Sequence, residues 1–318
     1  MGLWILGLVG LAWGGERAPA SVVSESVRSG PIRERVLPAD GADLVVFYTS
    51  EHRGQLGPCG CDGSSRGGLP RLHGYLDEAR RVDSDTAQVV VHAGSWADDA
   101  LGQDGRLSGM AHARGVAVSD ALQRAGFDVL NGSWRDNLFL EDADSAVPVV
   151  TASRTDDRAP SAVVLERGGL SVAVVGVSGM GSKVLLPEDA RWLEPVPAIR
   201  EALGTLQGDP DLVLVLASDT GAATRDIARM PEIDVVVESG AFVAQDEPWF
   251  QDGTVWVRSR DEGARIGELR LYLAPDHRIV GVRDRWIDLD GRVPESREQL
   301  RLQRSAERRL LKAASAAP

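Results

Sequence analysis

The sequence is poor in features that would each point to a particular class of protein. Its two cysteines, Cys59 and Cys61, are one residue apart, and a disulfide between them would close too small a ring to stabilise a fold. Basic residues are outnumbered and the net charge is −12, which argues against a nucleic-acid-binding protein with a basic face. Low-complexity segments and internal repeats are also absent. The composition, 43% hydrophobic and 26% charged, is that of an ordinary globular protein.

Long apolar runs are missing too. The run at residues 3–13 is too short to cross a membrane as a helix. Small residues follow at Ala18 and Ala20, a pattern typical of signal-peptidase cleavage, so residues 1–20 are predicted to be a signal peptide of a protein exported to the periplasm or beyond. A buried N-terminal helix is the alternative, although the glycines of this segment disfavour it. No cysteine lies at the end of this run, so we do not expect a lipid anchor. No other segment approaches the length of a membrane-spanning helix, so we expect no membrane span in the mature protein.

Changes in polarity and periodicity divide the remaining sequence into three segments. Residues 21–42 are polar and lack periodicity, which indicates a linker. Residues 43–293 alternate apolar strand-like and helix-like stretches and are predicted to form a single α/β domain. Residues 294–318 begin with a proline and continue as a polar helical tail.

The pattern within the domain favours two sheets. Short β-rich runs alternate with segments of helical periodicity, as where 44–48 is followed by 69–81. The last strands, at 254–258, 263–273 and 279–287, are predicted to be successive antiparallel neighbours. Such a meander needs a surface to pack on, so a two-sheet α/β sandwich fits better than one doubly wound sheet.

Short motifs lie at the ends of the predicted strands. The first is T-S-E-H-R-G at 49–54, and H-A-G-S at 92–95 follows the next strand. Their order and spacing resemble the catalytic domain of 5′-nucleotidases, a branch of the calcineurin-like metallophosphoesterases, where these motifs are T-N-D-x-H-G and D-A-G-D. The resemblance implies a four-layer α/β/β/α sandwich. It rests on the segments 49–54, 67–72, 92–95, 126–135, 217–221 and 232–242.

The resemblance also implies a chemistry that these residues no longer suit. In the family, two divalent metal ions activate a water and clamp the phosphate, and a histidine, matched by Trp134, assists as an acid. Only Glu51 and Asp219 keep an oxygen ligand suited to a hard cation. We therefore expect a phosphoesterase fold without hydrolysis and without a cofactor. The positions that match metal ligands are Glu51, Arg53, Ser95, Ser133, Asp219, Gly240 and Phe242.

A divergent metal-dependent phosphoesterase is the alternative. Its metal site would be rebuilt from neighbouring residues in a shifted register, with divalent metal ions as the cofactor and nucleotide hydrolysis as the activity. The residues available for such a site are His52, His92, Asp98, Asp136 and Glu238.

Two arginines suggest a different use of the site. Arg53 and Arg135 fall where the family needs positive charge, and guanidinium groups bind phosphate or a nucleotide-like anion without hydrolysing it. The alternative is that both arginines pair only with Glu51, Asp136 or Asp219 in a vacated pocket. The sequence identifies no protein partner.

The Cys-Gly-Cys segment supports a third hypothesis. A disulfide between Cys59 and Cys61 would be strained, and strained disulfides are the more easily reduced ones. Some bacterial nucleotidase-like proteins resemble this chain in carrying a cysteine-rich motif in this loop, which implies thiol redox chemistry. A passive disulfide that locks the loop is the alternative, and a zinc site would need about two further ligands.

Overall fold

The structure of the protein is a computed structural model that describes residues 21–28, 30–58, 65–101, 106–156, 158–179, 191–240, 248–259 and 263–316. The strands are β1 (Ser21–Val27), β2 (Leu44–Thr49), β3 (Ala87–His92), β4 (Val129–Asn131), β5 (Val149–Val150), β6 (Ala162–Arg167), β7 (Leu170–Ser178), β8 (Leu212–Ser218), β9 (Val235–Ser239), β10 (Trp249–Gln251), β11 (Thr254–Ser259), β12 (Arg265–Leu273) and β13 (Ile279–Asp288). The helices are α1 (Ile32–Arg35), α2 (Leu69–Val82), α3 (Gly109–Arg124), α4 (Asn137–Asp142), α5 (Pro195–Gly204), α6 (Ala223–Ile227) and α7 (Arg297–Ala316).

The described strands form two mixed sheets. The first has seven strands in the order β1-β13-β12-β2-β3-β4-β5, and β2, β3, β4 and β5 run parallel. The second has six strands in the order β10-β11-β9-β8-β7-β6, and β7, β8, β9 and β11 run parallel. Parallel neighbours need crossover connections, and helices α2, α3, α5 and α6 lie in such connections.

Three hydrophobic cores separate four layers. The first core packs α2, α3 and α4 against one face of the first sheet. The second core joins the two sheets, and the third packs α5 and α6 on the outer face of the second sheet. The four-layer α/β/β/α sandwich predicted from the sequence is confirmed.

Strand β2 shows why this architecture suits the sequence. Side chains of a strand point alternately to opposite faces, so Val46 and Tyr48 enter the core between the sheets, while Val45 and Phe47 face the helices. Both faces are covered, and the strand is therefore a continuous apolar run rather than an alternating one.

The segment predicted to be an irregular linker contains regular structure. Residues Ser21–Val27 form β1, which pairs in parallel with β13 at the edge of the first sheet. Arg35, fully buried at the end of α1, donates hydrogen bonds to the Asp288 carbonyl at 2.6 Å and to the Asp290 carboxylate at 2.9 Å. The sequence prediction failed because an edge strand with both faces largely exposed carries no apolar alternation.

The predicted meander is partly wrong. Strands β12 and β13 are antiparallel neighbours, as expected. Strand β11, however, belongs to the second sheet, where it pairs in parallel with β9 and antiparallel with β10. All three strands have similar local patterns, so only the packing of the two sheets determines which one β11 joins. Within the described residues, no helix is both long and apolar enough to cross a membrane.

Candidate functional site

The motif residues come together at one end of the sandwich. Carboxyl ends of parallel strands lie at the same edge of a sheet, and this edge is the usual ligand-binding crevice of α/β proteins. Gly94, after β3, marks how closely the two sheets approach there. A Cβ atom at this position would lie 2.9 Å from the Cβ of Ser218, at the end of β8, and 3.1 Å from the Cβ of Ser133, after β4.

The backbone at this edge adopts conformations that side chains rarely favour. Six described residues other than glycine have positive φ, and four of them match metal-ligand positions of the family. Such conformations cost about 1–3 kcal/mol each and persist where the surroundings enforce them, which is typical of functional sites. These residues are Glu51 (φ 61°), Arg53 (φ 45°), Ser95 (φ 58°) and Asp219 (φ 51°).

The Glu51 carboxylate forms an ion pair with Arg53. Its Oε2 accepts hydrogen bonds from Arg53 Nε at 2.8 Å and from Arg53 Nη2 at 2.5 Å. Burial raises the pKa of Glu51, and Asp219 adds to this effect, while Arg53 and Arg135 lower the pKa. The predicted pairing of Arg53 with Glu51 is therefore present, and the guanidinium brings positive charge to the place where the family holds metal.

Asp219 is also engaged. Its Oδ2 accepts a hydrogen bond of 2.9 Å from the indole Nε1 of Trp134, the residue that matches the assisting histidine. The guanidinium of Arg135 stacks on the Trp134 ring at 4.2 Å. Arg135 donates through Nη1 to Asp99 Oδ2 at 2.7 Å, so its carboxylate partner is Asp99 rather than the predicted Glu51, Asp136 or Asp219. The sequence offered no signal for Asp99, one of two adjacent aspartates.

A fully buried carboxylate joins the ends of β3 and β4. Asp136 Oδ2 accepts from the backbone N–H groups of Ser95 (2.9 Å) and Ser133 (3.0 Å) and from the Ser133 hydroxyl (2.6 Å). Its Oδ1 accepts from the N–H group of Ala97 at 2.9 Å. Burial raises the pKa of Asp136 to about 7, although the four donors oppose this shift.

The two histidines considered for a rebuilt metal site bind each other. His52 Nδ1 and His92 Nε2 are 2.9 Å apart, and both rings are buried. The Gly94 N–H group donates to His92 Nδ1 at 3.2 Å, which assigns the proton of neutral His92 to Nε2 and makes His52 Nδ1 the acceptor. Burial lowers both pKa values, that of His52 to about 4.

The other two residues considered for a rebuilt metal site are hydrogen-bonded to other groups of the protein. Glu238 is bound by Thr224, Trp256 and Arg258, and Asp98 accepts from the Ala100 N–H group and from Arg114. The predicted positions Cys59, Cys61 and Phe242 lie outside the described residues.

The donor set does not fit a pair of divalent metal ions. Two such ions need several oxygen or nitrogen ligands aimed at each. The Glu51 and Asp219 carboxylates are held by a guanidinium and an indole, and the Ser95 and Ser133 positions contribute only hydroxyl groups. No group of three or more His, Cys, Asp or Glu suited to a metal ion occurs in the part of the chain that the structure describes.

One central residue was missed by the sequence analysis. The Nδ2 atom of Asn131, at the end of β4, lies 2.9–3.0 Å from the carbonyl oxygens of Ala93, Val177 and Leu216. These carbonyls belong to both sheets, so the buried amide links the sheets directly behind the site. An asparagine at the end of an apolar strand gives no hint of this role.

Comparison with known proteins gives matches in structure only. No family model matches the sequence, and no curated protein matches it. A 5′-nucleotidase precursor from Thermus thermophilus superimposes with a TM-score of 0.66 and 16% identity over 85% of this chain and 59% of its own. The sulfate thiohydrolase SoxB of the same species gives a TM-score of 0.68 and 17% identity over 85% and 61%, respectively.

A third solved structure is matched along nearly its whole length. The calcineurin-like phosphoesterase YfkN from Bacillus subtilis has a TM-score of 0.64 and 14% identity over 86% of this chain and 98% of its own. The chain spans only about three fifths of the first two structures. Identities this low establish the fold and leave activity open. The protein therefore has the fold of a 5′-nucleotidase-type domain of the calcineurin-like metallophosphoesterases.

Proposed function

We propose that this protein is a non-hydrolytic binding protein built on the phosphoesterase fold, and that its ligand carries a phosphate-type anion. One observation carries the first part: the remaining carboxylates of the site are already bound by Arg53 and Trp134. A metal ion would have to displace a guanidinium from Glu51 and an indole from Asp219, and the matching positions Ser95 and Ser133 offer only hydroxyl groups to complete its coordination.

The two arginines support the second part. Arg53 and Arg135 are 34% and 27% exposed, so both guanidinium groups can reach a ligand at the mouth of the site. Arg135 Nε has no hydrogen-bond partner among the described residues, and in our proposal a small movement of this partly exposed side chain turns that donor towards an oxyanion.

Glu51 sets the strength of this binding in our proposal. It competes with an incoming anion for Arg53, and an oxyanion would lie close to its charge. Because burial raises the pKa of Glu51, protonation removes the competing charge beside Arg53 at a higher pH than it would at an exposed carboxyl.

Metal analysis tests the absence of hydrolysis. The purified full chain is incubated with Mn²⁺ or Zn²⁺, desalted, and analysed for bound metal and for turnover of bis(p-nitrophenyl) phosphate. We expect substoichiometric metal, no turnover and a melting temperature that EDTA does not change. Stoichiometric metal together with turnover would instead establish the divergent phosphoesterase.

Thermal stability in inorganic phosphate tests anion binding. We expect phosphate to raise the melting temperature of the wild type, and R53Q and R135Q to lose most of that increase. E51Q should show a larger increase, because it retains the side-chain shape and removes the competing charge. R229Q, which changes an exposed arginine paired with Asp226, is the control for general loss of charge. An equal response in R229Q and R53Q would contradict the proposal.

Two further hypotheses remain predictions. Thiol titration with and without reductant tests redox activity of Cys59 and Cys61, and two free thiols under oxidising conditions would count against it. Export through a signal peptide at residues 1–20 is tested by locating the protein in cell fractions.

A further inference from the structure

The loops after β3 and β4 form a small set of converging donors. Three backbone N–H groups, of Ser95, Ala97 and Ser133, point at one carboxylate, and the Ser133 hydroxyl adds a fourth donor. Converging backbone N–H groups provide a concave site for an anion, and we refer to these four donors as the nest. The nest is occupied by the side chain of Asp136, which is fully buried.

Capping of α4 does not explain this arrangement. Asp136 stands at the N-terminus of that six-residue helix, but its side chain makes no capping hydrogen bond. Both carboxylate oxygens instead face residues that lie outside α4. A buried carboxylate destabilises the folded protein unless it is fully hydrogen-bonded, and so do buried N–H groups without an acceptor. The four donors and Asp136 therefore satisfy one another.

The nest joins two positions of the candidate site. Ser95 and Ser133 match metal-ligand positions of the family, and the Asp136 carboxylate holds both. We infer that Asp136 is a positioning residue, an internal anion that fastens the ends of β3 and β4, and that without its side chain the nest binds a small monocarboxylate such as formate. This inference does not depend on phosphate binding at Arg53 and Arg135.

Removal of the side chain tests the inference by chemical rescue. We expect D136A to melt well below the wild type, and sodium formate to restore part of its stability while sodium chloride at equal ionic strength does not. If formate binds with a Kd of about 10 mM, about 100 mM would raise the folding equilibrium constant of D136A about tenfold. The wild type should show no such gain, because its own carboxylate fills the nest.

Two control variants separate rescue from a general salt effect. D98A removes another aspartate, bound by one N–H group, of Ala100, and by the exposed Arg114. Because solvent can replace the carboxylate at that position, D98A should gain no formate-specific stability. D136N retains the size of the side chain and fills the nest, but it turns one acceptor into a donor that faces N–H groups. It should therefore be destabilised without being rescued.

Direct binding is measured with ¹³C-formate. Its NMR line should broaden with D136A and stay sharp with the wild type, a result that a purely structural loss of Asp136 would not produce. If D136A is recovered only unfolded, refolding yield in formate against chloride replaces the melting measurement. Stability, line width and yield that are all independent of formate would overturn the inference.

Discussion

At the scale of single residues, the substituted positions of the site have acquired partners within the protein. Arg53 lies against Glu51, and Trp134 donates to Asp219. Each pair takes up a carboxylate that a metal would need. Both carboxylates therefore have partners among the protein's own side chains.

Asn131 joins the two sheets through one buried side-chain amide. Its Nδ2 atom has three carbonyl neighbours, which a carboxylate would repel. We predict that N131D destabilises the protein by about 3 kcal/mol or more, because it buries an unpaired charge. N131A, which leaves the carbonyls without a donor but adds no charge, should cost less. Urea unfolding measures both variants, and the prediction is wrong if N131D is as stable as N131A.

At the scale of secondary-structure elements, β1 depends on contacts made farther along the chain. The strand has exposed faces and pairs only with β13 among the described strands. The connection that follows it is held by Arg35, whose Nε atom donates to the Gly30 carbonyl and whose Nη atoms donate to Asp288 and Asp290. Arg35 therefore links the segment that follows β1 to the end of β13 and the residues after it.

Replacement of Arg35 should release β1 selectively. R35M leaves the carbonyls of Gly30 and Asp288 without their donor, and we expect a loss of about 2 kcal/mol, moderated because Asp290 is partly exposed. Hydrogen exchange should accelerate at residues 21–27 and stay slow in β2. R33Q, which changes an exposed arginine of the same helix, is the matched control. Uniform acceleration in both strands would contradict the proposed local role.

At the scale of the whole molecule, buried titratable groups make stability depend on pH in opposing directions. The lowered pKa of His52, about 4, means that the unfolded chain binds a proton between about pH 6.5 and 4 while the folded protein does not. This histidine therefore makes the protein less stable as the pH falls through that window. Asp136 and Asp284, whose pKa values burial raises to about 7, make it less stable as the pH rises from about 4 to 7.

Substitution of His52 isolates its contribution to the pH dependence of stability. H52N keeps an acceptor in place of Nδ1 but cannot titrate, so its stability should fall less than that of the wild type between pH 6.5 and 4. The expected difference is about 3 kcal/mol, measured by urea unfolding at each pH. Parallel pH profiles of the two proteins would show that His52 is not responsible.

The order of elements and the positions of the motifs were determined by the sequence itself. Short continuous apolar runs and segments with helical period are local signals, and the end of β2 at Thr49 follows directly from them. The two-sheet sandwich was predicted from the antiparallel strands near the end of the sequence, which need a surface to pack on.

Other features were decided only by the tertiary structure. The exposed edge strand β1, the membership of β11 in the second sheet, and the partners of Arg135 and Asp136 all join segments that are distant along the chain. No local pattern encodes such pairings, because a charged or polar residue has the same sequence neighbours whether its partner is a metal, a ligand or another side chain. In this protein, the tertiary structure places Arg135 beside Asp99, and Asp136 beside the backbone N–H groups of Ser95 and Ala97.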